Sequence, residues 1–167
     1  MSRAHAAEPL LDFADPDAAR AFRVINDAVM GGVSSSRLRS AAGALGFEGV
    51  LSLENNGGFA SFRGPVRIAS HASALLLTVR GDGKRYKLTL KPDDGNASPQ
   101  YQAPFTAPAH WTTLRFAPTD FTASFRGRSV DAPALDLGSM RAIGLLISDR
   151  QAGPFGVELG RIDIERD

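Results

Sequence analysis

The sequence predicts an all-β protein, a jelly-roll β-sandwich, with a short helix near its start. Three observations predict the sandwich. Apolar and polar residues alternate at a period of two along most of the chain. Clusters of Gly, Pro, Asn and Asp interrupt that alternation at short intervals. The chain has 167 residues and is 43% apolar, enough for one core without staples. Many short strands around one core make a sandwich or a barrel.

Residues 1–14 read as an N-terminal tail and residues 15–167 as a single β-sandwich domain. The helix comes first. Asp15 is a good N-cap, Pro16 suits the first helical position, and Asp17 favours the positive helix end. The helix should stop near residues 20–22. Strands follow. In residues 44–53, Phe47, Leu51 and Leu53 share one parity, with Glu48, Ser52 and Glu54 on the other. Asn55-Asn56-Gly57-Gly58 reads as a turn, and residues 59–68 as the return strand of a hairpin. Residues 74–80 and 86–91 flank Gly81-Asp82-Gly83, which predicts a second hairpin. There Tyr86, Leu88 and Leu90 should point inward, with Lys87, Thr89 and Lys91 outward. These lysines would discourage pairing at a sheet edge.

Residues 111–117 place Leu114 and Phe116 inward, and Trp111 is expected in the core. Residues 143–148 are apolar on both parities, which predicts a central strand covered on both faces. In the last strand Val157 and Leu159 share one parity, Ile162 and Ile164 the other. Gly160 lies between, so a β-bulge is expected there.

Several function classes are excluded or disfavoured. There is no cysteine, so disulfide and thiolate chemistry are absent. The net charge is +1, from 19 basic and 18 acidic residues, without the basic excess of a nucleic-acid binder. No apolar run is long enough to span a membrane. The opening MSRAHAAEPLLDFADPD lacks a continuous apolar segment and meets acids early, so no secretory signal is read and a cytoplasmic protein is expected. The three histidines, His5, His71 and His110, have no metal-ligand spacing, and no serine sits in a nucleophile elbow. No catalytic residue, cofactor or metal is therefore expected. Asp93-Asp94-Gly95-Asn96 offers oxygen ligands but lacks the closing Glu of a calcium loop, and reads as a solvated turn. Met30-Gly31-Gly32 and Gly81-Asp82-Gly83-Lys84 lack the spacing and context of nucleotide loops. One Trp and two Tyr against ten Phe suit a core better than a sugar platform.

Two glycine-rich segments remain: Asn26-Asp27-Ala28-Val29-Met30-Gly31-Gly32-Val33-Ser34, and Asn55 to Arg63. Turn chemistry explains their glycines. It explains less well Asp27 beside Asn26, or Arg63 at a strand position. A polar network linking the two segments is expected, because buried polar groups must find partners.

The blocks INDAVMGGVSSS, GVLSLENNGGFASFRG, RGRSV and IGLLISDRQAGPFGVELGRI resemble the complex I intermediate-associated protein 30 family. The resemblance runs from about Phe22 to Ile164. It implies a galactose-binding-like β-sandwich, in agreement with the strand pattern. It also implies an assembly-factor or chaperone role, because the mitochondrial relatives help build the membrane part of respiratory complex I and are not catalytic subunits. The chain lacks the Arg/Ser-rich character of a transit peptide, which implies a bacterial-type protein, cytoplasmic or peripheral to the inner membrane.

The expected partner is a protein, such as subunits or intermediates of complex I. Candidate binding residues are Asn26, Asp27, Met30, Ser34, Asn55, Asn56, Phe59, Ser61, Arg63, Arg128 and Asp149. Met30 and Phe59 would be apolar anchors, and Arg63 and Arg128 would contact carboxylates or carbonyls. The alternative is a carbohydrate or small-ligand binding module, which predicts a groove with an exposed aromatic and convergent polar groups. An enzyme would need a titratable pair in a cleft. Asp27 with Arg63 and Asp149 with Arg128 are the pairs to inspect, and both are expected to be structural ion pairs.

Overall fold

A computed structural model describes residues 6–26, 35–54, 58–93, 98–125 and 128–166. Two antiparallel sheets face each other across an apolar core. The strands are β1 (Ala6–Asp12), β2 (Arg23–Asn26), β3 (Ser35–Ala41), β4 (Ala44–Leu51), β5 (Ala60–Pro65), β6 (Ala72–Gly81) and β7 (Arg85–Lys91). They continue with β8 (Gln100–Thr106), β9 (Thr112–Phe116), β10 (Thr122–Phe125), β11 (Arg128–Ser129), β12 (Ala142–Ile147) and β13 (Gly153–Arg166). The six-stranded sheet has the order β3-β4-β13-β6-β9, with β1 also paired to β13. The seven-stranded sheet has the order β11-β10-β8-β7-β12-β5-β2.

The helix α1 (Pro16–Arg20) forms as its capping signals require. The Asp15 carboxylate accepts from the Asp17 amide at 3.0 Å, and Pro16 opens the first turn. The stretch before it is not a tail. Residues 6–12 form β1, which pairs antiparallel with the C-terminal half of β13, and Phe13 is buried in the core.

Neither expected hairpin forms. β4 pairs with β3 and β13, whereas β5 pairs with β2 and β12. Likewise β6 belongs to the six-stranded sheet and β7 to the seven-stranded sheet. In both cases the chain crosses from one sheet to the other between the two strands. Each strand alternates in the same way in either sheet, because each sheet has one face on the core. The alternation itself is right: Tyr86, Leu88 and Leu90 are all buried. β7 is central, between β8 and β12, so its lysines protect no edge.

β12 is an inner strand, as its apolar run predicts. Gly144 in β12 shows how closely these strands approach, because a Cβ there would overlap the Phe62 carbonyl oxygen. The register of β13 against β6 shifts between Leu159 and Arg161, which is the expected bulge at Gly160. It lets Val157 and Leu159, then Ile162 and Ile164, all face the core. Aromatic rings run through that core. Phe13, Phe22, Phe62, Phe47 and Phe155 meet in sequence at centroid distances of 4.8–5.9 Å. Tyr86, Phe105, Phe116 and Phe121 continue the series.

Candidate functional site

The described ends of the two glycine-rich segments meet at one corner of the seven-stranded sheet. β2 and β5 are antiparallel, with Asn26, the last residue of β2, opposite Ala60, the first of β5. The chain therefore leaves β2 into one segment where it returns from the other into β5. Ser61 strengthens this pairing by donating its hydroxyl to the Ile25 carbonyl at 2.9 Å. Phe59, just before β5, is half-buried. Asp27, Met30, Ser34, Asn55 and Asn56 lie outside the described residues, as do His5 and the Asp94-Gly95-Asn96 part of the oxygen-rich turn.

Arg63 stands directly opposite Arg23 across the same strand pair. Sequence reading missed Arg23, because nothing in one strand names its cross-strand neighbour. Arg63 also begins a row that faces away from the core. It runs through Gly144, Thr89 and Gln102 to Thr122 on β5, β12, β7, β8 and β10. Arg63, Thr89 and Gln102 are buried, and so are Lys91 and Ser124 on neighbouring outward positions. This outer face is thus a sunken polar floor. Lys91 Nζ donates to the Ser98 carbonyl at 2.8 Å, tying the 92–99 connection to it. The expectation that Thr89 and Lys91 face away from the core holds, but both are sheltered from solvent.

Arg128 and Asp149 do not join each other, and of the two only Asp149 lies near this corner, two residues beyond Ile147, which stands opposite Ala60. Arg128 is exposed on β11, at the opposite edge of the sheet from β2. Asp149 is exposed and lies 3.5 Å from Lys87 Nζ. The expected Asp149–Arg128 ion pair is therefore absent. Asp149 and Arg150 both have positive φ, +62° and +58°. Gln151 braces this turn, with its amide bonded to both the Arg85 and Ser148 carbonyls. The position is a structural turn.

A second concavity lies on the other side of the sandwich. It is a cavity of about 350 Å³ on the outer face of the six-stranded sheet. Its floor is glycine. Arg39, Gly46, Glu158 and Arg80 stand in one cross-strand row, and Arg37, Glu48 and Gly156 in the next. Glu48 Oε1 accepts from Arg37 Nε at 2.9 Å, and Glu158 Oε1 from Arg80 Nε at 3.0 Å. Asp82 closes one end. Its carboxylate accepts from the Gly156 amide, the Lys84 amide and the Tyr86 hydroxyl. Burial, and then the nearby Asp82 charge, push the Tyr86 pKa above its ordinary value.

Trp111 borders this trough and corrects the core assignment. It is 42% exposed, with the Arg80 guanidinium 4.8 Å from its ring centroid. It faces outward because it has the opposite parity to the inward Leu114 and Phe116, which places it beside Arg80. The trough was illegible in sequence, since Gly46 and Gly156 read only as breaks in alternation. Among the described residues no cluster of three or more acidic or histidine side chains could hold a metal ion. No helix among them is long and apolar enough to cross a membrane.

Solved structures with this fold are binding modules and parts of larger enzymes. The family 11 carbohydrate-binding module of a cellulosomal cellulase of Clostridium thermocellum superposes with a TM-score of 0.71 at 14% identity, covering 99% of this chain and 97% of that one. A Clostridium thermocellum family 11 module in complex with a mixed-linked tetrasaccharide gives 0.65 at 16% identity, covering 98% and 96%. An agarase gives 0.60 at 11% identity, covering 96% of this chain but 24% of the agarase. At such identities the likeness is one of fold. Comparison with the curated proteins gives no match. Residues 11–159 match the family described as complex I intermediate-associated protein 30. The chain therefore belongs to the complex I intermediate-associated protein 30 (CIA30) family.

Proposed function

We propose that this protein works by binding rather than by catalysis. It docks on a partly built protein complex, of the respiratory complex I kind, in the manner of an assembly factor. Family membership supplies the class of partner. The observation that supports the reading is the register that sets Asn26 opposite Ala60, because one glycine-rich segment begins and the other ends there. The docking surface is that corner. Asn26, Asp27, Asn55 and Asn56 supply hydrogen bonds, Met30 and Phe59 supply apolar contact, and Ser34 and Ser61 complete the polar rim. Arg23, exposed beside the buried Arg63, adds positive charge to this corner. Asp149, just past Ile147, borders it, whereas Arg128 at the far edge of the sheet is no part of it. The protein acts in the cytoplasm, peripheral to the inner membrane.

Arg23 is exposed at the corner, so reversing its charge changes that surface directly. Arg23→Glu is expected to weaken co-sedimentation with complex I assembly intermediates about tenfold. Undiminished co-sedimentation would remove the corner as the docking surface.

A further inference from the structure

The trough on the six-stranded sheet has a floor that the fold does not require. Gly46 and Gly156 lie diagonally on β4 and β13, both facing outward. Neither has the positive φ that favours glycine. A Cβ at Gly156 would meet only the Glu48 Cβ, at 4.0 Å, and one at Gly46 would come no closer than 3.4 Å to the Arg39 carbonyl oxygen. Both are ordinary contacts. Gly144 and Gly64 differ, because a Cβ there would collide with the Phe62 backbone or the Phe22 ring. Glycine inside a strand weakens it and packs nothing. At Gly156 the loss leaves open space above the sheet, whereas Gly46 lies buried beside Arg39.

The charges around that space are paired. Arg39 and Arg80 line it with Glu48, Glu158 and Asp82, and Arg37, outside the lining, also pairs with Glu48. An anion or a cation would meet a repelling charge beside each attracting one. Glu48 and Glu158 each engage an arginine through Oε1, and Oε2 has no partner among the described residues. The trough therefore alternates acceptors and donors along a glycine floor. Trp111, half-exposed beside Arg80, offers an apolar surface at its margin. The cavity, about 350 Å³, falls within the usual range of small-ligand sites.

We propose that this trough binds a neutral saccharide. Vicinal hydroxyls donate to Oε2 of Glu48 and Glu158 and accept from the flanking guanidiniums. The sugar ring lies over Gly156, where any side chain would stand in its way. This site is on the opposite face of the sandwich from the docking corner, so the two stand or fall separately.

The test is a titration of the purified chain with neutral gluco-, manno- and xylo-oligosaccharides, beside a sulfated and a sialylated oligosaccharide. Backbone amide NMR shifts of Gly46, Glu48, Gly156 and Glu158, and the Trp111 indole signal, report occupancy. A neutral oligosaccharide is expected to move these signals, and to bind Gly156→Thr about tenfold more weakly. The urea midpoint of Gly156→Thr should not fall, since threonine suits a strand. If that midpoint does fall, Glu158→Gln replaces it and must show the same weakening. The proposal is overturned if no neutral oligosaccharide moves these signals, if binding survives both substitutions, or if the sulfated or sialylated sugar binds as well as the neutral ones.

Discussion

Tyr86 is buried with its hydroxyl 3.1–3.2 Å from both Asp82 carboxylate oxygens, and its proton is held more tightly in the folded chain than in the unfolded one. A group with a raised folded pKa contributes stability that is present below its unfolded pKa and lost as pH rises above it. The ordinary tyrosine value is 10.0, so the loss begins near there. Tyr86→Phe should cost about 1 kcal/mol at neutral pH and flatten the decline above about pH 10. Urea midpoints of both proteins across that range check it. Glycine offers a sharper contrast. Gly144→Ala forces a methyl into the Phe62 backbone and should cost at least about 2 kcal/mol, whereas Gly156→Ala should be neutral or stabilising by about 0.5 kcal/mol. Equal effects in urea unfolding would contradict the packing described. Inward positions such as Tyr86, Leu88 and Leu90 were legible because period-two alternation reports burial directly. Arg23 and the trough glycines were not, because their meaning lies in the strand next door.

At the scale of the element, β13 organises one half of the sandwich. Its N-terminal half pairs with β4, its C-terminal half with β1, and its other edge with β6. The bulge at Gly160 joins the halves, and the Gly160 carbonyl accepts from the Phe13 amide at 3.1 Å. Deleting residues 1–13 should therefore do far more than trim an end. It removes β1 and the buried Phe13, and should lower stability by about 3 kcal/mol or more in urea unfolding. An unchanged midpoint would mean that β1 contributes nothing. The α1 caps, the central β12 and the bulge were all readable, since each rests on local chemistry. Strand partners were not. β4 and β5, or β6 and β7, alternate identically whether they pair or face each other across the core. β1 was missed because AAEPLLD carries a proline and a short apolar pair, a weak strand signal rescued by pairing with β13.

For the whole molecule, the sandwich presents two outer faces with different chemistry. The seven-stranded sheet has the sunken row of Arg63, Thr89 and Gln102, with the glycine-rich corner at its β2 edge. The six-stranded sheet has the balanced, glycine-floored trough. The corner was half-legible, because its motifs carry the family signature while their meeting depends on β2 pairing with β5. Docking at that corner is the central claim. Its most direct test is affinity capture of the tagged chain from gently solubilised membranes of its own source, beside an Asn55→Ala, Asn56→Ala double variant. Complex I subunits or intermediates are expected with the unmodified chain and depleted with the variant. Absence of complex I proteins from the unmodified chain, or their equal recovery with the variant, would contradict the account.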